Sequence, residues 1–213
     1  MKSAELKVHT YVVGPFFVNC YVVHSENDSA AAIIDPGGDE PVIAGEIKKL
    51  QLAPKYVLLT HGHIDHVFAA QAIRERYQIP VVAPVKEKEF LSKLQVQCAF
   101  LGLPDAPELT VDIWVDETDT LRFGSTNLSI LHTPGHTPGG CAYLGPHEVF
   151  VGDTLFAGSI GRTDLPGGQH DVLIRSIRNK LFSLPDDFIV YPGHGPSTAI
   201  GNEKKFNPFV RGL

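Results

Sequence analysis

LLTHGHIDHV, residues 58–67, is the stretch on which the fold turns. An apolar run ends at Thr60, and three histidines and one aspartate follow within positions 61–66. The run KYVLLT (55–60) has the length and composition of a strand buried on both faces. The residues after it, HVFAAQAIRERY (66–77), space their apolar positions as a helix does. A strand that runs through a polar loop into a helix is a βα unit, and in α/β proteins ligands gather at the carboxyl ends of strands. His61 and His63, two apart in an extended loop, can aim at one point. Asp65 and His66, at a helix start, can aim at a neighbouring one.

Outward from this stretch, alternating and β-branched runs predict strands at 6–13, 18–24, 30–35, 81–83, 111–115, 120–123, 126–131, 140–144, 148–152 and 188–191. Helices are predicted at 39–52 with Asp39 as cap, at 86–95, at 170–182 and after Gly195, and a Gly-rich loop at 157–168. Each half of the chain opens with consecutive strands, adds helices and places its polar clusters after strand ends. The reading is one α/β domain over residues 1–213, with two sheets and helices outside them.

The formal net charge of −6 and the absence of a basic block argue against a nucleic-acid partner. No run of about 18 apolar residues is present to span a membrane. The opening MKSAELKVHTYVVG lacks the apolar region of a signal peptide. Cys20, Cys98 and Cys141 are odd in number, far apart and form no CxxC pair. They read as buried free thiols of a cytoplasmic protein. Oligomeric state leaves no mark in the sequence.

Three further clusters repeat the logic of the first. TPGHTPGG (133–140) presents His136, VFVGDTLF (149–156) presents Asp153, and VYPGHGP (190–196) presents His194. In each, a strand ends, a Gly or Pro turn follows, and a His or Asp is offered, glycine allowing close backbone approach. Taken singly, such a histidine is usually hydrogen-bonded in the surface or core, and such an aspartate a turn residue. The specific signal is HxHxDH. Pooled, the clusters supply five His and two Asp, enough for two imidazole-rich sites sharing a bridging carboxylate. This nitrogen and oxygen set suits zinc, iron or manganese rather than thiolate chemistry. His9, His24 and His147 lack such context and default to the surface. His132 and His170 lie near the clusters but are not expected to be ligands.

HGHIDH, TPGHTPGG, GDTLF and PGHGP, in this order, resemble the motif series of the metallo-β-lactamase fold over nearly the whole chain. The resemblance implies an αββα sandwich of two mixed β-sheets with helices on the outer faces. It implies that His61, His63 and His136 bind a first metal, that Asp65, His66 and His194 bind a second, and that Asp153 bridges them. DPGG (35–38) resembles the family's first motif, which makes Asp35 the support behind the metal loop. GDTLFAGSIGRTDLPGG (152–168) is similar to the glyoxalase II and persulfide dioxygenase branch, and PGHGPSTAIGNEKKFNPF to the short, single-domain glyoxalase II type, the YcbL or GloC group.

What the resemblance implies is hydrolysis of a thioester, with S-D-lactoylglutathione as the substrate and two divalent ions, zinc first and iron or manganese next, activating water. Asp65 would also orient that water. Arg162, nine residues after Asp153, stands where the family carries a basic residue that contacts glutathione. A bridging carboxylate points away from the β-lactamases of this fold, and His63, where the flavodiiron proteins carry Glu, favours hydrolysis over redox chemistry. The sequence departs from the long glyoxalase II enzymes at Pro196, near their Tyr, and in ending at Leu213 without their glutathione-binding helical domain. The rival readings are a mononuclear iron persulfide dioxygenase, which shares the GR-T-D residues, another hydrolase of the fold such as a lactonase, esterase or nuclease, and an inactive binding module.

Overall fold

Alternation along the central strands dictates the layers. In β2 (Val18–Ser25), Val18, Cys20 and Val22 face one core while Tyr21 and Val23 face another. The same split recurs in β3 (Ala30–Ile34), β4 (Ala53–Leu58) and β5 (Val81–Pro84), as the period-two geometry of a strand requires. These strands form a sheet with β1 (Leu6–Val13) and β6 (Ile113–Val115) in the order β1-β2-β3-β4-β5-β6, antiparallel at β1–β2–β3 and parallel from β3 onward. The computed structural model describes residues 6–26, 28–106 and 108–211, so the domain expected over 1–213 includes residues 1–5, 27, 107 and 212–213 outside the described ones.

The second sheet is built from β7 (Thr120–Phe123), β8 (Thr126–His132), β9 (Cys141–Leu144), β10 (Glu148–Gly152), β13 (Ile189–Pro192) and β14 (Thr198–Ala199). A small hairpin of β11 (Leu155–Phe156) and β12 (Ser159–Ile160) projects beside it. Its order is β14-β13-β10-β9-β8-β7, with β10 and β13 parallel and the other pairs antiparallel. Both sheets are therefore mixed.

Three apolar clusters separate four layers. One lies between the first sheet and α1 (Glu40–Lys49), α2 (Ile64–Val67), α3 (Ala70–Tyr77) and α5 (Leu94–Leu101). The central one fills the space between the sheets and contains Ile34, Leu58, Leu128, Tyr143 and Phe150. The third lies between the second sheet and α6 (His170–Ser176) and α7 (Ile200–Phe206). This is the expected αββα sandwich. Its halves are also sewn together by polar bonds at one edge. Tyr143 Oη donates to the Leu59 carbonyl at 2.8 Å, and Cys141 N to the Thr60 carbonyl at 2.9 Å. Asn19 Nδ2 donates to the carbonyls of Pro192 at 3.0 Å and Gly195 at 2.8 Å.

Several local expectations need correction. The helix expected over 66–77 starts earlier and is split into α2 and α3, because Ala69 N–H donates to the Pro36 carbonyl at 2.9 Å, outside the helix. Asp39 does stand at the start of α1, but at φ 48° its side chain makes no cap and accepts Gly14 N–H at 2.8 Å. The helix expected over 86–95 is a tight turn at Val85–Glu87, then α4 (Lys88–Leu91) and α5, which runs on to Leu101 and ends at Gly102 with φ 65°. Helix 170–182 is α6 continued by a π-type turn over Ile177–Leu181. Part of the expected loop 157–168 pairs as β12. All three cysteines are buried and free.

Candidate metal centre

Four strand ends deliver the candidate donors to one place. His61 and His63 follow β4, with Asp65 and His66 opening the helix beyond; His136 follows β8, Asp153 follows β10, and His194 follows β13. Donor atoms of His61, His63 and His136 lie within 4.8 Å of one another, as do those of Asp65, His66 and His194. A third such group, His61, His66 and Asp153, joins the two. Asp153 Oδ1 lies 3.4 Å from His66 Nε2, and its Oδ2 lies 3.6 Å from His136 Nε2 and 3.7 Å from His194 Nε2. The shared aspartate thus faces both triads.

The bonds behind the imidazoles fix which nitrogen faces inward. Asp35 accepts Thr60 N–H at 2.8 Å and Thr60 Oγ1–H at 2.6 Å. With its hydroxyl proton so committed, Thr60 Oγ1 accepts from His61 Nδ1 at 3.0 Å. Asp35 also receives His66 Nδ1 at 3.0 Å, and the Arg162 carbonyl receives His136 Nδ1 at 2.7 Å. Each of these rings turns its Nε2 toward the centre, the arrangement second-sphere partners give to metal-binding histidines. His63 instead turns Nδ1 inward, 2.9 Å from His136 Nε2.

Three of these atoms are buried with no hydrogen-bond partner: His61 Nε2, His66 Nε2 and Asp153 Oδ1. Buried acceptors left unpaired are costly. A divalent cation among them would answer all three, so the donor set fits a metal.

The proton affinities of His61 and His63 point the same way, whereas an ion at the second triad would have to displace protons from His66 and His194. Burial, followed by the neighbouring imidazoles, holds His61 well below the ordinary histidine value, and burial and His136 bring His63 down to about 4. Both stay neutral, as nitrogen ligands must. For Asp153, burial alone would raise the carboxyl, but His66, His136 and His194 outweigh it and hold the carboxyl low. Asp65 is also lowered, burial being outweighed by His66 and His194. The partners rise: burial acts against the charge on His66, yet Asp153, Asp65 and Asp35 push it well above its usual value. In His194, Asp65 and Asp153 likewise overcome burial.

Close approach depends on glycine at one point above all. A Cβ on Gly193 would stand 2.2 Å from Asp153 Oδ1 and 2.6 Å from His66 Cε1. In the sequence this glycine stands out only as part of a turn. Nothing there marks Thr60, whose hydroxyl links Asp35 to His61, or the Arg162 carbonyl. The Arg162 side chain does not reach the donors. Its guanidinium is exposed and grips Asp164 with two bonds of 2.8 Å each. His132 bonds the Pro138 carbonyl at 3.3 Å, His170 is exposed at the start of α6, and His9 and His24 stack on each other.

The fold and this donor set define a metallo-hydrolase scaffold. The chain matches the metallo-beta-lactamase superfamily over residues 13–194 and belongs to that superfamily. Hydroxyacylglutathione hydrolase GloC of Haemophilus influenzae is 40% identical over 210 residues, covering 96% of this chain and 98% of that protein. Among solved structures, the BLEG-1 B3 metallo-beta-lactamase superposes with a TM-score of 0.91 at 40% identity, covering 97% of this chain and 100% of that one. TTHA1623 in a di-iron-bound form gives 0.87 at 34% identity, with coverages of 95% and 100%. ETHE1 from Myxococcus xanthus gives 0.80 at 31%, with coverages of 95% and 83%.

Proposed function

We propose that the protein hydrolyses thioesters with two divalent ions, and that its substrate is an S-2-hydroxyacylglutathione such as S-D-lactoylglutathione, released as a 2-hydroxy acid and glutathione. The observation that carries this reading is the pair of donor triads meeting at Asp153. His61, His63 and His136 would hold one ion, Asp65, His66 and His194 the other, and Asp153 both. Zinc suits the set, and iron or manganese fit it too. Similarity to a hydroxyacylglutathione hydrolase along the whole chain supports the substrate class.

Ions paired in this way activate water and polarise a carbonyl. The chain's own residues do the rest. Asp65, its side chain 20% exposed and its Oδ2 3.3 Å from His194 Nε2, is held ionised where it can orient water. A thiolate leaving group, with a pKa of about 8.5, departs without a dedicated acid. Arg162, at the outer edge of the loop whose carbonyl holds His136, offers its guanidinium to a substrate carboxylate once Asp164 yields it.

The deciding experiment combines metal analysis of the purified protein with hydrolysis of S-D-lactoylglutathione. Two ions per chain and thioester cleavage lost on chelation are the expected results. Two ions without thioesterase activity would move the assignment to other esters or lactones. Oxygen uptake with glutathione persulfide would mark a dioxygenase, and cleavage of a β-lactam would align the protein with BLEG-1.

A further inference from the structure

Glu87 is fully buried, in the tight turn that precedes α4. Among the described residues it forms no ion pair. Instead its Oε2 accepts Gly62 N–H at 2.7 Å and its Oε1 accepts Gly139 N–H at 2.6 Å. Both oxygens act as acceptors, although burial still raises the carboxyl above its ordinary value. Gly62 lies between His61 and His63, and Gly139 lies in the loop that carries His136. One side chain therefore spans the two loops that supply the first triad. That triad is made of three imidazoles, whereas the second contains the carboxylate of Asp65. Apart from its share in Asp153, the first triad has no negative charge of its own.

We propose that Glu87 is a positioning residue for the first metal site: it locks the 61–63 and 133–140 loops at the spacing the first ion needs. This rests on the two-ion reading. The bonds from the two glycine amides offset part of the cost of burying this group and fix one loop against the other. The second triad receives no bond from Glu87, so the effect is confined to one site.

The experiment measures cobalt(II) affinity by chelator competition, together with the visible cobalt spectrum, in two backgrounds. His194→Ala leaves the first triad complete, and His63→Ala leaves the second. Adding Glu87→Gln to His194→Ala is expected to weaken cobalt binding roughly 10–100-fold and to change the spectrum. Adding it to His63→Ala is expected to change neither. Equal weakening in both backgrounds, or none in either, overturns the proposal while leaving the two-ion reading intact. A wild-type protein that takes up no metal overturns both. Should circular dichroism show Glu87→Gln unfolded, Glu87→Asp, which keeps a carboxyl but shortens the reach, is measured in its place. The same asymmetry then supports the proposal and its absence overturns it.

Discussion

Asp153 carries the heaviest demand of any single residue, because donors from both triads face its two oxygens. Asp153→Ala is expected to lose both ions and thioesterase activity together, as read by metal analysis and S-D-lactoylglutathione turnover. Full activity in that variant would sink the two-ion mechanism. Asp35 tests the layer behind. It touches no second candidate donor besides His66, yet through Thr60 it also sets the ring of His61. Asp35→Ala is expected to lower metal affinity by roughly 10–100-fold with all seven donors in place, measurable by chelator competition. At this scale the sequence is informative where a side chain must be a particular type at a strand end. The seven donors meet that condition. The Arg162 carbonyl does not, since a carbonyl has no residue identity, and Glu87 sits in KEKEF (86–90), part of the helix expected over 86–95. Only the packing shows that Glu87 turns inward while Lys86, Lys88 and Glu89 stay exposed.

The elements show the same division. Strands were legible because burial on two faces forces a period of two. The break between α2 and α3 was not, since its cause is a carbonyl at Pro36, more than a turn of sequence away in another motif. The C-terminal helix α7 has a comparable tie. Glu203, 4% exposed, accepts Thr198 Oγ1–H at 2.6 Å, Gly158 N–H at 2.9 Å and Asn207 Nδ2–H at 2.7 Å, while Asn207 also donates to the Ser159 carbonyl at 2.9 Å. These bonds pin the β11–β12 hairpin, whose Phe156 ring lies 6.4 Å from that of His194. Removing the carboxylate takes one acceptor from three donors at once. Glu203→Ala is expected to cost about 1–3 kcal/mol in a urea unfolding titration.

Across the whole molecule, the two-halves pattern of strands and helices foretold two sheets, whereas strand order did not follow from it. The parallel pairing of β10 with β13 joins segments separated by the hairpin and α6. Among the described residues, no helix is long and apolar enough to cross a membrane. Burial in the cores pushes the thiols of Cys20 and Cys141 well above their ordinary value of 9.0. The folded protein keeps these protons at a pH where the unfolded chain has released them, so stability falls as pH rises past 9.0. Urea midpoints measured on either side of that pH should decline on the alkaline side, and the three cysteines should react with thiol reagents only after unfolding.

The seam between the sheets separates two events in the life of the chain. The candidate donors run from His61 to His194 and hang from strand ends in both sheets, so the closing loops are long and their entropy must be met before any ion is gripped. The three apolar cores supply burial toward that closure. Chelator-treated protein is therefore expected to fold, as read by circular dichroism, and to take up ions afterwards. His194 joins the set only through β13, the strand that pairs with β10 across the hairpin and α6. The finished scaffold is a preformed receptor, and which cation fills it is settled by what the surroundings supply as much as by the ligands the sequence encodes.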